Sequence, residues 1–177
     1  KDSKATDGPY FDDRKGAVNA LALNPDPRAA DILLSRLDHR EEPSITIRFQ
    51  IIAGLSQRSY EPQQAEAVWK KMAALVTSKE ERDPDPDVRK AALILLGKVT
   101  PADRLRQAIT LVEVVKSGDV DIKVLAAADA LFAELEGRES PGGAAGMEEL
   151  QAQLTEHQRA LAEEINQRQI FEVGMDR

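Results

Sequence analysis

The chain alternates short polar starts with apolar stripes at helical spacing. In DPDPDVRKAALILLG, Asp83 to Gly97, the acids and prolines read as a helix start. Asp85 suits the N-cap, Pro86 suits the first helical position, where no donor is required, and Asp87 complements the positive end of the helix. Val88, Ala92, Leu93 and Leu96 then fall on one face. The same grammar stands 41 residues earlier in SITIRFQIIAGL, with Ser44 as cap and Ile47, Ile51, Ile52 and Leu55 as stripe. A third copy, DVDIKVLAAADAL, begins 34 residues after the Asp85 copy, with Asp119 at the cap and Ile122, Ala126, Ala127 and Ala130 on the stripe. In this register Arg48, Arg89 and Lys123 share one position. A weaker copy, DDRKGAVNALAL, aligns Arg14, Ala17, Val18 and Leu21, with Tyr10 where the cap should be.

A second set of amphipathic segments lies between these. DPRAADILLSRL starts with Asp26 and Pro27, EPQQAEAVWKKMAALV near Pro62, and TPADRLRQAITLVEVV with Thr100 and Pro101. The pattern predicts helices over residues 12–23, 27–38, 44–57, 62–78, 85–98, 101–116, 119–136 and 145–169, with no sheet. Short turns between paired amphipathic helices, repeating at this period, point to an α-solenoid.

The arrangement D-x-x-x-x-V-R followed by AALILLG, from Asp83 to Gly97, closely resembles the second helix of a HEAT repeat, and the likeness extends more loosely over residues 12–136. The resemblance implies an all-α, HEAT-like α-solenoid of about three to four helix pairs, closed by a long C-terminal capping helix. It also implies a ladder in which the acid five residues before the valine pairs with the arginine of a neighbouring repeat. Glu42 and Asp83 occupy that place, but Ser117 does not, so the ladder of Arg48, Arg89 and Lys123 is expected to break at the last repeat. Physical reasoning supports such pairs independently. Arg48 and Arg89 each lie in the middle of an apolar stripe, and a buried guanidinium without a partner costs about 3–5 kcal/mol.

After Phe132 the character changes. EGRESPGGAAG is expected to be a flexible connection over residues 137–144, because its glycines disfavour helix. Its glycines do not make a phosphate loop, since no strand precedes them and no Lys-Ser/Thr pair follows. In the segment 145–177, Met147, Leu150, Leu154, Leu161 and Ile165 form a narrow stripe of near-heptad spacing that includes His157. A terminal cap on the last repeat is the expected role, with self-association or partner docking as alternatives.

Composition narrows the chemistry. The 177 residues carry a formal charge of -7, which opposes a broad electrostatic hold on phosphate, and aromatic residues are only 4% of the chain, which leaves the core to aliphatic residues and alanine. There is no cysteine, so disulfides, zinc-thiolate sites and thiol nucleophiles are excluded. No apolar run approaches the roughly 20 residues that span a bilayer. The polar opening KDSKATDG, residues 1–11 being taken as a spacer, suits an exported or lipid-anchored protein as well as an arbitrary cut in a longer chain. The compartment stays open.

No catalytic residue, metal site or cofactor is expected. His39 lies in the polar connection LDHREE, and neither it nor His157 belongs to a triad or a metal spacing. HEAT-like iron hydroxylases use repeated His-Glu pairs, whereas here one pair, Glu156 and His157, stands in reversed order. The surface remains. The face opposite the stripes carries Phe49 and Ala53, Lys90 and Ile94, and Val124 and Ala128, several of them apolar where water would be expected. The expected function is a non-enzymatic protein-binding scaffold or adaptor whose partner is a protein or peptide. A bilin-lyase-like HEAT enzyme and a nucleic-acid-binding helical-repeat protein are the alternatives.

Overall fold

The computed structural model describes residues 10–139. Those through Glu136 belong to one compact unit, and the few beyond it continue the last helix. The described residues are all helical, without strands: α1 (Phe11–Leu23), α2 (Pro27–Ser35), α3 (Ile45–Ser56), α4 (Pro62–Thr77), α5 (Pro86–Val99), a 3-10 turn (Ala102–Arg104), α6 (Leu105–Gly118) and α7 (Ile122–Glu139). Seven of the eight expected helices are therefore present, and the segment expected at 145–169 lies outside the described residues. Helix α7 runs past the boundary expected at residue 136.

Local chemistry sets most of the starts. Asp26, Ser44 and Asp85 accept backbone N–H groups of the first turns of α2, α3 and α5, and Pro27, Pro62 and Pro86 open α2, α4 and α5. Tyr10 precedes α1 in the left-handed region (φ 57°) and makes no side-chain cap. The Thr100–Pro101 start expected for α6 is displaced. Thr100 ends α5, its Oγ donating to the Leu96 carbonyl at 2.7 Å and accepting the Trp69 indole N–H at 3.0 Å. Residues 102–104 form the 3-10 turn before α6 begins. Arg104 lies over the Trp69 ring at 5.0 Å and bonds Glu66 at 2.7 Å, so the one tryptophan ties α4 to the α5–α6 connection.

Packing sorts the helices into two rows. Helix α1 packs on α3 and α3 on α5, while α2 packs on α4 and α4 on α6. Helix α4 also packs extensively on α5. The stripes Ile47, Ile51, Ile52, Leu55 and Val88, Ala92, Leu93, Leu96 are fully buried between the rows. Close approach of α1 to α3 requires glycine at residue 54, where a Cβ would stand 2.6 Å from the Ala22 Cβ. Gly97 similarly admits Leu131 of α7.

Ion pairs hold the odd row in register. Arg48 grips Asp83 through two parallel bonds (Nε to Oδ2 2.7 Å, Nη2 to Oδ1 3.1 Å) and donates Nη1 to the carbonyls of Glu42 and Pro43. Arg89 repeats the motif on Asp119 (2.8 and 3.0 Å) and on the carbonyls of Asp83 and Pro84. Arg14 bonds Glu42 at 2.9 Å. Each acid also accepts the backbone N–H two residues on: Glu42 from Ser44, Asp83 from Asp85 and Asp119 from Asp121. The two central pairs are buried.

The third copy corrects the expected register. The helix start is Asp121, whose Oδ1 accepts the Lys123 N–H at 2.9 Å, and Asp119 is the ladder acid. The ladder therefore does not break at Ser117, whose Oγ donates to the Val114 carbonyl at 3.0 Å. By the same alignment, the position equivalent to Arg89 is Leu125, and Lys123 is no ladder residue. Lys123 instead makes an exposed pair with Asp87 at 2.9 Å. Arg82 reaches the ladder as well, donating to Asp119 at 2.7 Å. A second set of cations serves the helix ends. Arg58, past the end of α3, donates to the Leu21 and Asp26 carbonyls at 3.0 and 2.9 Å, and Lys98 donates to the Ser56 carbonyl.

Two outcomes follow from the ladder. Arg89→Ala leaves Asp119 buried with only a half-exposed partner and should cost about 3–5 kcal/mol, well more than the exposed Arg40→Ala; equal urea midpoints would contradict the ladder. The second concerns acid. Burial alone would raise the Asp119 carboxyl, but bonds from Arg89, the Asp121 N–H and Arg82 outweigh it and hold the group well below the usual carboxylate range. A carboxyl depressed on folding contributes its stability above the unfolded value of about 3.9 and loses it as pH falls through the folded value. Asp119→Asn should therefore be less stable than the wild type at neutral pH, with the difference shrinking below about pH 4. Denaturant titrations across that range check this, and a constant difference would exclude the effect.

Candidate functional site

Helices α3, α5 and α7 present a continuous face away from the buried stripes. Helix α3 is apolar nearly all round: Ile47, Ile51 and Leu55 turn inward, while Ile45 and Phe49 remain 41% and 46% exposed. On α5, Ile94 is 61% exposed, and on α7 Ile122 is 80% exposed. These side chains border two troughs. The first, of about 670 Å³, lies between α3 and α5 and includes Ile45, Phe49, Ala53, Lys90, Ile94 and Leu95. The second, of about 620 Å³, lies between α5 and α7 and includes Lys90, Ile94, Ile122, Ala126, Ala130 and Leu131. Lys90 and Ile94 stand on the ridge between them and border both.

The expected surface residues divide accordingly. Phe49, Ala53, Lys90 and Ile94 come together along the first trough. Val124 and Ala128 do not join them: both are 0% exposed and sit in the core with Leu131 and Leu135. The cause is the misplaced helix start. A shift of two residues turns a helix by about 200°, which exchanges the faces and brings Ile122, Ala126 and Ala130 outward instead. The rival start was visible as the second acid in DVD, and Leu131 and Leu135 at the spacing of Val124 and Ala128 favoured it without excluding the alanine stripe.

The electrostatics of the face are sparse. Asp87 and Lys123 neutralise one another, and Glu134 is engaged in a contact of its own. Lys90 is exposed and, among the described residues, has no ion-pair or hydrogen-bond partner. It stands on the ridge that both troughs share.

His39 is half-buried beside Asp38, 3.9 Å away, in the turn before α3. Among the described residues no group of three or more His, Asp or Glu is placed to hold a metal ion, and no helix is long and apolar enough to cross a membrane. Comparison with known proteins returns no match to any family model, curated protein or solved structure.

The exchanged faces of α7 give a direct check. Ala128→Asp should lower the unfolding midpoint sharply, since it places an unpaired carboxylate in the core. Phe49→Asp and Ile94→Asp should shift it little. Thermal unfolding of the three variants distinguishes them, and comparable losses would mean that the trough is part of the core.

Proposed function

We propose that this chain is a HEAT-like α-solenoid module that binds another protein along the exposed face of α3, α5 and α7, without an enzymatic activity of its own. The repeated unit of acid, cap and arginine, Glu42-Ser44-Arg48 and Asp83-Asp85-Arg89, supports the repeat reading, as does the stacking of odd helices on odd and even on even. The observation that carries the binding reading is the apolar face itself. Phe49, Ile94 and Ile122 are exposed on three successive helices of the odd row, and large apolar side chains in such continuity mark interaction surfaces more often than solvated ones. Two troughs separated by a ridge offer pockets for side chains rather than a flat patch, the geometry used when a protein segment docks into a helical groove.

The test compares the chain with its Phe49→Asp/Ile94→Asp double variant as baits in quantitative cross-linking from the native source. Proteins captured by the wild type and depleted about tenfold or more by the double variant, with far-ultraviolet circular dichroism unchanged, are the expected result. Equal capture by both folded baits would place the binding surface elsewhere.

A further inference from the structure

Resting on the proposed docking face, we infer that its occupant is a protein helix laid across the odd row, with one apolar side chain in each trough and a carboxylate between them over Lys90. The spacing of the troughs and the charge between them lead to this. The troughs flank α5, so their centres are separated by about one interhelical distance, 8–10 Å. Two apolar residues seven apart on a docking helix are separated by about 10.5 Å along its axis and lie on nearly the same face, which matches that separation. Between them, at the third or fourth residue, such a helix presents a side chain to the ridge.

The ridge there carries Lys90 beside Ile94, both bordering both troughs. Charge complementarity then selects the middle residue. Of the charged side chains along the troughs, Asp87 and Lys123 satisfy one another and Glu134 is engaged, which leaves the Lys90 ammonium as the group able to take a new partner. An apolar or basic residue above it would meet an ammonium without gain or with repulsion, whereas a glutamate or aspartate pairs with it across the ridge. The recognised pattern is thus apolar, then acidic three or four residues on, then apolar at the seventh.

The experiment selects binders to the full chain from a displayed library of helical peptides about 16 residues long, randomised along one face. The expected enrichment is for Leu, Ile, Met or Phe at positions seven apart with Glu or Asp between them. Against the Lys90→Glu chain the middle position should change to Lys or Arg, and an enriched peptide should weaken about fivefold on Lys90→Ala but much less once its own acid is replaced by Gln. Enriched peptides with no acidic preference that still lose binding to Phe49→Asp/Ile94→Asp would overturn the carboxylate while keeping the docking face. Peptides indifferent to that double variant, or no enrichment at all, would overturn both. Sedimentation of the free chain supplies the last arm: dimers abolished by Phe49→Asp/Ile94→Asp would identify a second copy as the occupant and sink the peptide proposal.

Discussion

A guanidinium buried in an apolar stripe has to be met by a carboxylate, and in this protein that requirement sets the spacing of the helices. Arg48 and Arg89 each bind in two directions: the Nη1 of each donates to carbonyls of the approach to its own helix, while Nε and Nη2 clamp the acid before the next odd helix. The acid in turn accepts the N–H of the residue that caps that helix. One side chain therefore joins two successive odd helices and fixes both starts. Desolvation offsets much of the attraction in such a pair, so its main effect is on register: an apolar stripe alone would tolerate sliding, but a two-bond clamp satisfies its charge in one alignment.

The apolar face of α3, α5 and α7 depends on that alignment. A helix in the odd row must cover the core with one stripe and border a trough with another, which explains why α3 carries isoleucine or phenylalanine on both sides. The ladder holds α3, α5 and α7 side by side at their starts, and Lys98 ties the end of α5 to that of α3 as Arg58 ties α3 to the end of α1. The even helices supply the opposite wall of the core. Trp69 illustrates how economically: its ring fills space on α4, its N–H closes the Thr100 hydroxyl, and its face takes Arg104.

Helix formation and most helix positions were legible in the sequence. Cap residues, prolines at first helical positions and stripes of period 3.6 act within a few residues of one another, so they need no tertiary context. The burial of Arg48 and Arg89 was legible for the same reason, because each lies amid residues that must face inward. That a carboxylate would meet each of them followed from charge, whereas Asp83 as one of those acids was implied only by the resemblance to a repeat family. By contrast, the start of α7 was ambiguous locally. Asp119 and Asp121 are both competent caps, and no proline marks the choice as Pro84 and Pro86 do around Asp85.

Only the folded chain resolves that choice, because the energies that decide it come from residues far away in sequence. Arg89, 30 positions earlier, takes Asp119 for the ladder and leaves Asp121 to cap. Seating Val124, Ala128, Leu131 and Leu135 against α5 and its neighbours buries larger side chains than the alanine stripe would. The identity of the exposed face on α7 and the pairing of Lys123 with Asp87 both follow from this selection. Local sequence determined that there would be helices and which arginines they would bury; long-range charge and burial decided which way the last of them turned.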